Sequence, residues 1–422
     1  MNSIEEYKRK YAFGEDYGTS DYKFGRVAEK PEIIENRGII IDKKSIIYRV
    51  IGLEKDIVVG PEVASYLGSR EEIANYLIYP MRDGIIRMND EKAWRVIYEV
   101  TRYGLLKSMK DINGDFKGFY ITAALSAIAP KYMYEKLFDI HRQIDDEYGV
   151  VKAVTIIPQP LAVAIAQKTV TCIVVESGHG NTQITPISRY PIRGAIISLN
   201  RGGAEANAIT AEILKDTGYG DLVHEEKIVR MIKESIGLIP RNLDDAIKMA
   251  KRDPEKFAVK YTIPNTTLSI EINENSWMRF LIGEIIFNPE HEIFESYYRR
   301  GMPKPRDIRI GDEIISGTID MGQAIIKSAE KTPLELQPHL YKRIILSGGN
   351  FAWKVPSGME SIAVDSSEKI RNMLLSKHVT ANVKLAEDPQ YSVWRGTIVY
   401  SIAVPDNYLW DWEKLEGWLK WR

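Results

Sequence analysis

Asp16 and Lys23 stand on either side of a glycine-bearing stretch, Asp16-Tyr17-Gly18-Thr19-Ser20-Asp21-Tyr22-Lys23. An aspartate is a hard oxygen acceptor that suits Mg²⁺ through coordinated water, and a lysine is a point charge for phosphate. Between them, Gly18 is expected to take backbone angles that other residues resist. The N–H groups of Gly18, Thr19 and Ser20 then point into one concavity, a way of binding phosphate oxygens without a helix. Tyr11, Ala12 and Phe13 lead in and Tyr22 to Val27 lead out, which predicts two strands joined by a tight turn. A short glycine motif of this kind is equally compatible with an ordinary hairpin carrying a charged rim.

A second stretch, Glu176-Ser177-Gly178-His179-Gly180-Asn181-Thr182-Gln183-Ile184, repeats the pattern. A strand ends in an acid, a glycine-rich turn follows, and a strand of small and polar residues leaves it. Such an internal repeat predicts two similar domains, each offering one phosphate-gripping hairpin. A phosphate tail clamped by the pair would occupy an interdomain cleft, where ligand sites are common. Two further glycine pairs support this reading. Arg201-Gly202-Gly203-Ala204 opens a predicted helix and offers an anion site at its N-terminus. Ser347-Gly348-Gly349-Asn350 follows the predicted strand Arg343–Leu346 and allows close approach of a flat ligand such as a nucleoside.

These residues need a scaffold. The chain has 422 residues, more than one core usually serves, so two or more domains are expected. Hydrophobic residues make up 44%, enough for packed cores. Lys and Arg number 57 against 58 Asp and Glu, which gives no electrostatic case for nucleic acid or an anionic membrane. Cys172 is the single cysteine, so neither an internal disulfide nor a cysteine-based metal site can form; it reads as a small buried hydrophobe. No apolar run reaches the roughly 20 residues of a membrane helix. The N-terminus lacks a signal-peptide core, so a soluble, cytoplasmic protein is expected.

Short apolar runs predict strands over Gly38–Ile41, Ser45–Ile51 and 55–59, and a short helix over 61–67, in a small lobe. Asn89 or Asp90 caps a helix bearing Trp94, Ile97, Thr101, Leu105 and Met109 on one face. Strands are expected over 118–124, 153–157, 170–176, 192–199 and 266–272. Helices are expected over 131–148, 161–167, 224–238, 244–251, 277–286, 319–330, 333–341, 367–378 and 391–403. The tail Trp410-Asp411-Trp412 to Trp418-Leu419-Lys420-Trp421 is expected to dock on the chain's own first domain.

Taken together, these motifs resemble the actin superfamily along essentially the whole chain, and within it an archaeal branch, the crenactins. Asp16 to Lys23 resembles the family's first phosphate hairpin and Glu176 to Gly180 its second. Ile228-Val229-Arg230 with Ile232-Lys233-Glu234 resembles the helix that meets the ribose and adenine. Leu346-Ser347-Gly348-Gly349 resembles the adenosine loop. Tyr79-Pro80-Met81-Arg82-Asp83-Gly84 and Tyr391-Ser392-Val393-Trp394-Arg395-Gly396 resemble further signatures.

The resemblance implies an α/β fold of the actin, chaperone and sugar-kinase ATPase type, with two similar domains of mixed sheet plus helices. Domain I would span 1–165, with the lobe 37–79, and be completed by 390–422. Domain II would span 166–389, with an inserted subdomain at about 206–311. It implies ATP or ADP with Mg²⁺, slow hydrolysis coupled to assembly, self-association into cytoskeletal filaments and accessory cytoskeletal partners. Carried over, Asp16 and Glu176 would act on Mg²⁺ through water. Tyr17, Gly18, Thr19, Ser20 and Lys23 would meet the phosphates from one side, and Gly178, His179, Gly180 and Asn181 from the other. Gly202 and Gly203 would line the ribose, and Lys233 and Glu234 would contact adenosine. Gly348, Gly349 and Asn350 would back the base, with Trp353 nearby. Gln159 would orient the attacking water.

Three positions depart from the eukaryotic pattern. Glu176 and His179 stand where aspartates are usual, and Gln183 stands for a histidine. An alternative is a small-molecule kinase on the same architecture, but such enzymes need a carboxylate base where this chain has Gln159. Another is a non-polymerising actin-related subunit of a larger complex.

Overall fold

The computed structural model describes residues 3–44, 46–51, 55–67, 71–112, 114–310 and 313–421. The chain divides into two compact units, Met1–Thr169 with Tyr391–Arg422, and Val170–Gln390.

The first unit is built on a five-stranded sheet in the order Glu32–Glu35, Asp21–Arg26, Ala12–Tyr17, Phe119–Leu125, Val151–Pro158. The first three strands pair antiparallel and the last two join in parallel. Ala12–Tyr17, at the centre, is buried along its whole length, as a strand covered on both faces must be. Parallel neighbours need a long crossover, and helix Lys131–Tyr148 supplies one between the last two strands. It ends at Gly149, whose left-handed backbone (φ 65°) closes the helix. The expected cap of helix Glu91–Met109 is Asp90, whose carboxylate accepts the Ala93 N–H at 3.0 Å.

Helix Ser392–Ala403 returns to this unit and packs on Ala12–Tyr17 and Gln159–Ala166. The approach is close enough that a Cβ on Gly396 would sit 1.8 Å from the Ala162 carbonyl oxygen. The aromatic tail docks on the same unit, as expected: Leu419 and Val154 exchange both backbone hydrogen bonds, at 2.8 and 3.0 Å. Trp410 meets Phe138 edge-on at 4.7 Å.

The small lobe is a three-stranded sheet with Gly38–Ile40 between Ile57–Val59 and Leu77–Ile78. Its core is Ile39, Ile41, Val58, Val63 and Ile73. One expectation is corrected here: Ile46–Ile51 is a helix, not a strand. A short apolar run does not carry its own period, so strand and helix are not separable by pattern. A helix over Ser3–Tyr11 was also not foreseen.

The second unit repeats the sheet plan in the order Tyr190–Pro191, Thr182–Ser188, Thr171–Ser177, Ile344–Ser347, Val383–Leu385, with Ile197–Leu199 also paired to Thr182–Ser188. Again the central strand has its hairpin partner antiparallel on one side and a parallel strand on the other. The expected strand 192–199 is broken by a 3₁₀ turn at Arg193–Ala195. The expected strand near Thr266–Ile272 is half of a hairpin, Val259–Thr262 with Ser269–Ile272. A further hairpin, Ile308–Ile310 with Glu313–Ile315, was not foreseen. Among the described residues no helix is long and apolar enough to cross a membrane.

Candidate functional site

The first hairpin sets Asp16 opposite Lys23 and Tyr17 opposite Tyr22. Cross-strand neighbours on one face interact, and Lys23 Nζ meets Asp16 Oδ2 at 2.8 Å. Asp16 is only 2% exposed. Its other oxygen accepts Gln159 Nε2 at 2.9 Å, and the same amide reaches the Tyr17 carbonyl at 3.3 Å. Gln159 is the first residue of helix Gln159–Ala166, between the extended Pro158 and Pro160. Proline presets the backbone angle of a helix start and gives up no needed N–H. A buried carboxylate thus holds one cation and one amide, both drawn from neighbouring elements.

The turn corrects one expectation. Gly18 does not adopt a left-handed backbone, and its N–H is not aimed outward: it donates to the Asp21 carbonyl at 3.0 Å. Glycine is needed there because a Cβ would lie 2.8 Å from that same oxygen. The turn is pinned by Asn36, whose Nδ2 donates to the Gly18 carbonyl at 2.8 Å and whose N–H donates to the Ser20 carbonyl at 2.8 Å. The Gly84 N–H donates to Thr19 Oγ1 at 3.0 Å.

The second hairpin has the same register. Glu176 faces Gln183 and Ser177 faces Thr182, and the Gly178 N–H donates to the Asn181 carbonyl at 3.0 Å, with His179 and Gly180 between them. Gln183 Nε2 donates to Glu176 Oε2 at 3.2 Å, so the acid's cross-strand partner is neutral. Ser177 Oγ and Thr182 Oγ1 are 2.8 Å apart, and Asn181 Nδ2 donates to Ser198 Oγ at 3.1 Å. Asn350 reaches in from another loop and donates to the Gly178 carbonyl at 2.6 Å and to Ser177 Oγ at 3.1 Å.

The glycine pair at 202 and 203 does not form the expected anion site. The N–H groups of Gly203 and Ala204 donate to the Gly178 and His179 carbonyls, each at 2.9 Å. The Gly202 N–H donates to Glu205 Oε2 at 2.6 Å. Two donors of this helix start are therefore spent on the turn and the third on the helix's own Glu205. A Cβ on Gly202 would meet the Gly178 carbonyl oxygen at 2.4 Å, so the glycine permits that clamp.

Lys233 is buried, and its Nζ lies 3.3 Å from where a Gly203 Cβ would be; Asn350 Oδ1 lies 3.4 Å from the same point. Trp353 is buried as well, its indole N–H donating to the Lys233 carbonyl at 3.3 Å. The structure thus brings Gly178, His179, Gly202, Gly203, Lys233, Asn350 and Trp353 together. Glu234 does not join them. Successive helical residues point roughly 100° apart, and Glu234 faces outward, paired with Arg230 at 3.0 Å. Gly348 takes φ 100°, and a Cβ there would lie 2.1 Å from the Ser177 carbonyl oxygen; a Cβ on Gly349 would meet open space.

Two supports were not visible in the sequence. Asn36 pins the first turn. Arg201, fully buried, donates from Nε to the Ile286 carbonyl at 3.1 Å and from Nη1 to those of Gly317 and Ile319 at 3.0 and 2.5 Å. Burial pushes its pKa down to about 10. The only sequence signal for Arg201 was its place beside the glycine pair.

Among the described residues no group of three or more His, Cys, Asp or Glu could hold a metal ion directly. A lone buried carboxylate beside a glycine turn fits Mg²⁺ all the same, because that ion keeps several waters and binds through one or two carboxylates plus phosphates.

Residues 76–403 match the family model described as actin. An actin-like protein of Neurospora crassa is 24% identical over 375 residues, 87% of this chain and 84% of the relative. Actin-related protein 2 of Saccharomyces cerevisiae is 23% identical, covering 82% and 79% of the two chains. Actin-related protein 2 of Acanthamoeba castellanii is 26% identical, covering 72% and 68%. With the duplicated sheet and hairpins described above, this match shows that the chain has the two-domain actin-like α/β fold and belongs to the actin family.

Proposed function

We propose that this protein binds ATP with Mg²⁺, hydrolyses it slowly and assembles into cytoskeletal filaments in the cytoplasm. The observation that carries the reading is the Gln159 amide seated on Asp16 and on the Tyr17 carbonyl at the base of the first turn. In this reading each hairpin is a phosphate-contacting element: the Thr19 and Ser20 N–H groups and Lys23 in the first, and the 178–181 turn in the second. Lys233, Gly348, Gly349 and Trp353 form the adenosine side. Bound Mg²⁺ would neutralise charge on the phosphate oxygens.

Hydrolysis then needs positioning more than covalent chemistry. Water attacks the γ-phosphorus, the bond to the bridging oxygen breaks, and ADP and phosphate leave. An amide is no strong base, but it can fix one water in line, which is why turnover is slow. Asp16 holds the nitrogen end of Gln159, so the amide's orientation is set by the same carboxylate that would hold Mg²⁺ through water.

Assembly is head-to-tail and does not close. The lobe 37–79 is the proposed contact. Its apolar residues Val50, Ile51 and Leu53 are proposed to carry that contact; Leu53 and the side chains of Val50 and Ile51 lie outside the described residues. Self-association and accessory cytoskeletal proteins belong to the same proposal, with membership of a larger complex as the alternative. Placement in the archaeal crenactin branch belongs to this proposal, and grouping with eukaryotic actin-related proteins in a phylogeny would overturn it.

The test is electron microscopy and pelleting with and without Mg-ATP, beside a phosphate-release assay. Filaments and slow release that rises on assembly are expected. Binding without pelleting would make the protein a non-polymerising subunit, and failure to bind Mg-ATP would end the reading.

A further inference from the structure

Glu15 and His141 form a fully buried pair that the proposed chemistry does not use, each 0% exposed. Glu15 and Asp16 are consecutive in a strand and so point to opposite faces. Asp16 serves the turn, while Glu15 faces the packed side. There its Oε2 lies 2.8 Å from His141 Nε2, and its Oε1 accepts the Tyr22 hydroxyl at 2.7 Å. The Tyr17 hydroxyl reaches Oε2 at 3.2 Å and Thr101 Oγ1 at 2.7 Å. His141 Nδ1 lies 2.7 Å from the Leu137 carbonyl, which can only accept, so that nitrogen donates. With Glu15 as a carboxylate, which can only accept, Nε2 donates as well, and the ring joins helix Lys131–Tyr148 to the strand.

Tyr17 and Tyr22 are the last cross-strand pair before the Gly18–Asp21 turn. The carboxylate gathers both hydroxyls, and His141 ties that carboxylate to a helix. The corresponding rung of the second hairpin is built otherwise, from the Ser177 and Thr182 hydroxyls and the Asn350 amide. The strand residue before Glu176 is Val175, a buried hydrophobe.

We propose that Glu15 and His141 are positioning residues for nucleotide binding: their pair braces the Tyr17–Tyr22 rung from behind and so holds Asp16 and the Gly18–Asp21 turn in binding geometry. This rests on the ATP-binding reading above. The brace acts on one hairpin only, so its loss loosens residues 12–24 and spares residues 171–183.

The full chain is compared as wild type, His141→Leu, His141→Gln and Glu15→Gln. Mg-ATP titration is read beside backbone hydrogen exchange over the two hairpins. His141→Leu weakens Mg-ATP about tenfold and speeds exchange over 12–24 by a similar factor, with 171–183 unchanged. His141→Gln keeps an N–H donor for Glu15 and returns both readouts to within about threefold of wild type. Should His141→Leu fail to fold, Glu15→Gln, nearly isosteric, carries the test, with about threefold weaker binding and faster exchange confined to 12–24.

Wild-type behaviour of the variant that carries the test overturns the inference. So does equal loosening of both hairpins, or a His141→Gln protein no better than His141→Leu. Wild-type protein that fails to bind Mg-ATP overturns the ATP reading and the positioning role with it. Binding that is indifferent to these variants overturns the positioning role alone.

Discussion

In the first hairpin the acid, Asp16, holds a cationic partner, Lys23, and the Gln159 amide. In the second, Glu176 holds the neutral Gln183 in the same cross-strand position. The backbones agree closely: each turn is closed by a glycine N–H donating to the carbonyl three residues on, at 3.0 Å in both. What differs is how each turn is fastened. The first is pinned from outside by Asn36 and Gly84. The second is clamped by the helix start at Gly203–Ala204 and by Asn350. One backbone device has been given a charged, cation-paired form and a neutral, heavily hydrogen-bonded form. Where each hairpin meets phosphate, the first should therefore supply charge and the second shape.

The largest expected effect tests the second hairpin's dependence on shape. Gly348→Ala forces a Cβ to 2.1 Å from the Ser177 carbonyl at φ 100°. It should cost about 3 kcal/mol or more of stability, read as a lowered melting temperature or loss of soluble protein. A melting temperature equal to wild type would remove the close approach as a constraint.

Next come the two acids. Asp16→Asn should weaken Mg-ATP on the order of a hundredfold, because it leaves Lys23 without its charge partner and disturbs Gln159. Glu176→Gln should weaken it only about tenfold, since its cross-strand partner is an amide. Equal losses in side-by-side titrations would erase the distinction between the hairpins.

Gln159→Ala should leave Mg-ATP affinity within about fivefold while slowing phosphate release by assembled protein on the order of tenfold to a hundredfold. Unchanged release would take Gln159 out of the mechanism. The smallest effect concerns Cys172, in the strand leading to the second turn. Burial pushes its thiol pKa up to about 12, so the native protein at pH 8 should resist iodoacetamide and react only when unfolded. Rapid alkylation of native protein would mean that this strand opens.

Much of the site was readable because its defining residues are near neighbours. Within each hairpin the acid and the turn glycines lie within a few residues of one another, so alternation and turn chemistry reveal them. Helix Lys131–Tyr148 and its neighbours carry enough periodic turns to be read from spacing. The lobe's Ile46–Ile51 helix was too short to show its period. The anion site expected at Gly202–Gly203 failed for a different reason. The pattern of a helix start was correct, but the Gly203 and Ala204 donors are claimed by the Gly178 and His179 carbonyls and the Gly202 donor by Glu205.

The sequence by itself determined the two acid–glycine hairpins, the order of the main strands and helices, and the chemistry available at each turn. Those depend on local backbone preference and on which faces can be buried. Tertiary structure alone decided which donors remain for a ligand and which residues hold the turns. Gln159 on Asp16, Asn350 on Gly178 and His141 on Glu15 join positions 143, 172 and 126 residues apart. No local pattern encodes such a pairing, because a side-chain hydrogen bond is chosen by what the packed core brings within about 3 Å, not by spacing along the chain.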